Sequence, residues 1–154
     1  MNSLDDLFAD YAEHHRTALN KATHVVGIPL IAMTLYGMAA RVTLFETLTG
    51  LRLDLGMTLI AALVAIYLVW HVGLAVGFGL LSVPLYLAGA MIPVPWLVAG
   101  LVAGVALQYL GHIVFEHRAP AFHNNLVHTL IGPLWIAALL FRAVGLFRPA
   151  TRAG

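Results

Sequence analysis

The chain reads as an all-α, polytopic membrane helix bundle, and three features of the sequence say so. Charged residues are 10% of its 154 residues and hydrophobic ones 61%, with a mean hydropathy of +0.90, whereas soluble domains carry roughly a quarter charged residues. Apolar segments alternate with short polar ones, the pattern of helices that cross a bilayer. The longest apolar run, residues 57–92, would reach about 54 Å as one helix against roughly 30 Å of hydrocarbon, so it has to fold back on itself.

Leu4, Leu7, Phe8, Tyr11, His15 and Ala18 recur at helical spacing, Asp5, Asp6, Asp10 and Glu13 fall elsewhere on the wheel, and Ser3 stands where an N-cap belongs. This predicts an amphipathic helix at the membrane surface. Residues 1–23 are acidic and polar, without the basic start and early apolar core of a cleavable leader, so the first span is expected to act as its own signal. Apolar segments follow at residues 25–40, 57–70, 72–92, 96–115 and 126–147, which predicts about five spans, with Gly73, Gly77 and Gly79 beside a fold-back at His71. Residues 44–55, with Arg52 and Asp54, are the other polar connection. The expected organisation is one integral membrane domain over 1–154, with the surface helix and polar segment in 1–23 and the bundle in 25–147.

Five spans place the N-terminal segment, the fold-back at His71 and the loop 116–125 on one side of the bilayer, where the histidines can meet. Four spans would put the N-terminal histidines and the Glu116 loop on opposite sides. Arg16, Lys21 and Arg118 then lie on the histidine side and Arg41, Arg52, Arg142, Arg148 and Arg152 on the other, a count that taken literally turns the histidines away from the cytoplasm.

Two polar stretches, residues 11–29 (YAEHHRTALNKATHVVGIP) and 108–125 (QYLGHIVFEHRAPAFHNN), hold most of the histidines. Imidazoles gathered at the ends of apolar segments point to a metal site. The chain has no cysteine, which excludes disulfides, thiolate ligands and iron–sulfur clusters and leaves His, Asp, Glu, Asn and Gln as ligands. Gln108, His112 and Glu116 are each four apart and form one stripe on a helix. Helix-packing glue is the plain reading of Gln108, whereas an ionisable pair at membrane depth gives His112 and Glu116 a metal or catalytic role. Arg118 is placed either to sit at the headgroups or to hold a carboxylate. Asn20 and His24 share a face, but His15 and His24 are nine apart and would diverge on one straight helix. A break is therefore expected, with Asn20 as a cap that lets the surface helix fold across the bundle entrance. His14 reads as solvated, His71 as structural, and Gly27 and Pro29 as packing and kink positions.

At these residues the sequence resembles a known family. The pattern Tyr11-x3-His15-x4-Asn20-x3-His24-x2-Gly27-x-Pro29, followed by Gln108-x2-Gly111-His112-x2-Phe115-Glu116-x-Arg118-x-Pro120-Ala121 and then Asn125-Leu126 and Pro133, is similar to that of the small membrane iron-dependent 2-hydroxy fatty acid dioxygenases. The resemblance implies Fe²⁺ held by His15, His24 and His112, with Glu116 and Asn20 as neighbouring candidates and His128, near the start of the last span, as a weaker one. His117 stands where relatives commonly have a basic residue, and His123 and His128 fall outside the motif.

The implied reaction is fatty acid α-oxidation, in which O₂ converts a 2-hydroxy fatty acid to the acid one carbon shorter plus CO₂. The substrate releases the four electrons that O₂ needs, so neither 2-oxoglutarate nor NADPH is required. A 2-hydroxy carboxylate can chelate Fe²⁺ through both oxygens if the protein supplies only three or four ligands, and its acyl chain would lie among the spans. Three roles stay open for Glu116: fourth ligand, partner orienting a histidine, or base for the 2-hydroxyl. The expected partners are this substrate, O₂ and membrane lipid. A net charge of +1 without a basic patch argues against nucleic acid. The rivals are a b-type haem protein with His24, His71, His112 or His128 as axial ligands, a di-iron hydroxylase, whose several HxxHH boxes the lone His14-His15 pair does not meet, and a non-catalytic membrane scaffold. The Ala/Gly/Leu-rich composition points to a bacterial plasma membrane, the endoplasmic reticulum being the eukaryotic counterpart.

Overall fold

The computed structural model describes residues 3–119, 127–143 and 145. Helix α1 (Leu4–Glu13) starts at Ser3, whose hydroxyl accepts the Asp6 amide at 3.2 Å while the Asp6 carboxylate accepts from the Ser3 N–H at 3.2 Å. This reciprocal cap satisfies two otherwise orphaned donors. Phe8 and Tyr11 are the buried residues of α1.

Helix α2 (Ala18–Ala39) is the centre of the molecule. It starts at Thr17, whose hydroxyl accepts the Asn20 amide at 3.2 Å, so the expected cap at Asn20 is corrected: Asn20 stands inside the first turn. The connection after α2 also corrects the all-α expectation to a mostly helical fold. Residues 43–54 form an antiparallel hairpin, β1 (Thr43–Glu46) on β2 (Arg52–Asp54), which turns through Gly50 at φ +83. Alternation of apolar and polar residues on both sides of a glycine turn is a hairpin pattern, which here is brief enough to pass for a polar loop.

Helix α3 (Leu55–Trp70) and helix α4 (Val72–Met91) break at the single extended residue His71, which accepts the Leu74 amide at 3.2 Å and so caps α4. A Cβ on Gly79 would stand 3.3 Å from Val64, and the Tyr67 and Phe78 rings meet at 4.8 Å. Residues seven and eight positions either side of His71 touch only if the helices fold back, as the length of the apolar run requires. Helix α5 (Val94–Tyr109) continues into a π-helical turn (Leu110–Phe115), and α6 (Val127–Ala143) follows. Among the described residues, three helical segments are long and apolar enough to cross a membrane, Ala18–Ala39, Val72–Met91 and Val94–Phe115, and two shorter ones, Leu55–Trp70 and Val127–Ala143, are also apolar.

Small residues set the packing on α2. A side chain on Gly37 would run into the Gly89 carbonyl of α4, and one on Gly27 would come 3.1 Å from the Gly104 carbonyl of α5, so these helices approach nearly backbone to backbone. The pairs also give direction: α2 and α5 are antiparallel, since Thr34 meets Gly100 and Ile31 meets Gly104. The start of α2, the break at His71 and the π turn consequently lie at one end of the bundle. A buried cluster built on Phe8, Tyr11, Tyr67, Phe78, Ile131, Leu134 and Trp135 joins α1, α3, α4 and α6.

Candidate metal centre

Three elements each bring one histidine to the same point. His15 sits in the bend between α1 and α2, His24 lies further along α2, and His112 comes from the π turn; all three are 2% exposed. Their ligand atoms lie within 4.8 Å of one another, and the ring centres are 4.4, 4.7 and 4.8 Å apart. The break that the nine-residue spacing demands is the bend at residues 14–17.

Two of the three rings are fixed by the backbone. His15 Nδ1 donates to the Tyr11 carbonyl at 2.7 Å and His24 Nδ1 to the Asn20 carbonyl at 2.9 Å. A carbonyl only accepts, so each ring carries its proton on Nδ1 and keeps its lone pair on Nε2, the usual outer support of a metal-binding imidazole. His15 Nε2 is buried without a hydrogen-bond partner. Burial also pushes His15 down to about 3, which keeps it in the neutral, ligating form. The donor set and this orphaned nitrogen fit a divalent ion of intermediate softness.

The π turn presents His112. Its wider winding shows in the Glu116 amide, which donates to the carbonyl of Gly111, five residues back, at 3.1 Å, while the Arg118 amide closes the end on the His112 carbonyl at 3.0 Å. Such one-turn insertions recur at functional sites. Gly111 lets the turn press on α2, since a Cβ there would run into Thr23 and the Asn20 side chain.

Glu116 reaches back to the N-terminus of α2. Its carboxylate accepts from the Arg16 amide at 2.7 Å, the Thr17 amide at 3.1 Å, the Thr17 hydroxyl at 2.9 Å and the Asn20 side-chain amide at 3.1 Å. Burial alone would raise this carboxyl, but the four hydrogen bonds outweigh it and hold it down at about 2. An anion at a helix N-terminus is also favoured by the helix dipole. Thr17, the residue sequence reasoning overlooked, was visible as a threonine three residues before an expected cap.

The other candidates are placed as follows. Asn20 holds Glu116 and the His14 carbonyl with its amide and His24 with its backbone carbonyl. Arg118 is exposed. His128 is 6% exposed and bonds Asp10 through Nε2 at 2.8 Å, tying α6 to α1. His14 bonds the Asp10 carbonyl at 3.0 Å, and exposed His117 takes a left-handed φ of +53 at the end of the π turn. His123, with Pro120, Ala121, Asn125 and Leu126 of the second motif, lies outside the described residues.

The histidine group heads an apolar cavity of about 370 Å³. From His24 it follows α2 past Ile28 and Ile31 to Tyr36, between Val105 of α5 on one side and Leu63, Tyr67 and Leu130 on the other. Twelve helical residues make this about 18 Å long.

Fold and site together define a class: a mostly helical, membrane-type protein whose buried histidine group, able to hold a metal ion, heads a cavity for an oily molecule. The family model described as 2-hydroxy-palmitic acid dioxygenase Mpo1-like matches residues 1–144. The chain belongs to this family, and it is a 2-hydroxy fatty acid dioxygenase. It has no match among curated proteins or solved structures.

Proposed function

We propose that His15, His24 and His112 hold Fe²⁺ and that the protein performs α-oxidation, turning a 2-hydroxy fatty acid and O₂ into the fatty acid one carbon shorter, CO₂ and water. The observation that carries this reading is the buried three-imidazole group at the head of an acyl-sized cavity. Bound there, ferrous iron would supply O₂ activation and a binding point for the two oxygens of the hydroxy acid.

The residues around the group support that substrate. Three neutral imidazoles leave a divalent charge uncompensated, and among the described residues the cavity lining contains no Asp or Glu. An apolar cavity penalises uncompensated charge, and the carboxylate of a 2-hydroxy acid cancels one of the two positive charges, which a plain alcohol does not. The acyl chain lies along α2 toward Tyr36. Glu116 serves as the latch between the π turn and α2, neither ligand nor base, because its two oxygens already take four donors. Asn20 aligns His24, Arg118 sits at the headgroups, and His128 docks α1. The three nitrogens converge within 4.8 Å, which leaves no plane for a porphyrin and favours non-haem iron over a b-type haem.

Residues 1–154 form one domain whose five apolar helices all cross the bilayer, with α1 on its surface, in a bacterial plasma membrane or, in a eukaryote, the endoplasmic reticulum. Anaerobic reconstitution with Fe²⁺ tests the chemistry. One iron per chain, no Soret band, and conversion of a 2-hydroxy fatty acid without 2-oxoglutarate or added reductant are expected. Turnover of the acid lacking the 2-hydroxyl, which cannot give the four electrons, would sink the reading.

A further inference from the structure

Tyr11 is joined to the histidine group by its backbone and its ring, and neither contact uses its hydroxyl. Its carbonyl holds His15 Nδ1 at 2.7 Å. Its ring stacks on the His15 ring at 3.9 Å and 12° and leans on Trp135 at 5.3 Å. The residue is 4% exposed and lines the cavity, yet among the described residues its hydroxyl has no hydrogen-bond partner. Gly132 of α6 leaves room at that tip, since a Cβ there would stand 3.2 Å from the phenol oxygen. Buried phenols ordinarily find a partner, so a donor left open beside a ligand ring is a place for an acceptor on whatever occupies the cavity.

The acceptor is on the substrate's head. Among the described residues no Lys or Arg lines the cavity, so beside the metal the protein's own recognition of an acid falls to neutral donors. The side-chain amide of Gln108, also buried without a partner, packs against Gly27. We propose that the Tyr11 hydroxyl donates a hydrogen bond to the substrate carboxylate and selects 2-hydroxy acids over other oily molecules that carry two neighbouring oxygens. This rests on the reading that the cavity takes the acid head first toward the histidines.

Tyr11→Phe tests it, because the variant keeps the carbonyl, the ring and the stack and removes only the donor. Wild type and variant are reconstituted with Fe²⁺, and three quantities are measured: iron per chain, anaerobic binding by calorimetry, and KM. The ligands are a 2-hydroxy fatty acid and the 1,2-diol of the same chain length. The variant should keep its iron, bind the acid about tenfold to a hundredfold more weakly, as loss of a charge-assisted bond predicts, and bind the diol as wild type does. Installing 4-aminophenylalanine at position 11, which restores a donor, should recover the acid. Unchanged affinity for the acid in Tyr11→Phe, or equal weakening of acid and diol, would overturn the proposal while leaving the dioxygenase reading intact. A wild-type protein that binds acid and diol alike would also overturn it. Wild type that binds neither would remove the cavity reading beneath it.

Discussion

His15, His24 and His112 differ from His71 and His128 in what their nitrogens are left to do. In His15 and His24 a backbone carbonyl takes the proton of Nδ1 and turns Nε2 toward the group, whereas His128 spends Nε2 on Asp10 and His71 spends Nδ1 on a helix cap. Replacing any of the three by Ala should therefore remove iron and activity together, read by metal analysis and product formation. His14→Ala should keep both, since its ring contacts Asp10 and the His128 ring and is not one of the three converging imidazoles. Full iron occupancy in His112→Ala would refute the ligand set. The resemblance to the family's two motifs marked these three in the sequence. The role of Glu116 stayed open because its donors are 96 to 100 residues away.

The π turn and the start of α2 act as one unit, pressed together at Gly111 and latched by Glu116. Gly111→Ala puts a methyl into Thr23 and Asn20, which moves the turn and with it His112. Iron affinity should fall about tenfold to a hundredfold, the usual effect of disturbing a ligand's support, with helix content by circular dichroism unchanged; a normal iron titration would count against the contact. The latch also has a pH signature. A carboxyl held at about 2 stabilises the fold fully above the ordinary carboxylate value and loses that effect as pH falls through about 2. The melting temperature of Glu116→Gln in detergent should sit below wild type by a constant margin from neutral pH to mildly acidic pH. The two should converge in strong acid, and a gap that stays open there would show that the carboxylate charge is not what the latch uses.

At the scale of the molecule, the antiparallel course of α2, α3, α4 and α5 brings the first polar stretch, the His71 break and the π turn to one end. If all five apolar helices cross the membrane, the two termini lie on opposite faces. Reporter tags at each end check this, and equal accessibility of both from one side would remove the five-span arrangement. Helices α3 and α6 are the sensitive ones, because 16 and 17 residues make about 24 to 26 Å, short of a typical hydrocarbon core.

The sequence by itself determined the helical class, the membrane-type segments and the fold-back near His71, and through its resemblance to the family's two motifs it marked the three candidate histidines. The first three rest on composition, periodicity and segment length, which are properties of neighbouring residues along one chain. Tertiary structure decided where α2 begins, that residues 43–54 pair as strands, that α5 widens into a π turn, and that Glu116 faces a helix N-terminus while Asp10 meets His128. Each of these is a competition between partners for a hydrogen-bonding group. A carboxylate four residues from a histidine has the same local signature whether it turns toward a metal or toward backbone amides 100 residues away, and only the packing of α5 on α2 through their glycines settles which donors arrive first.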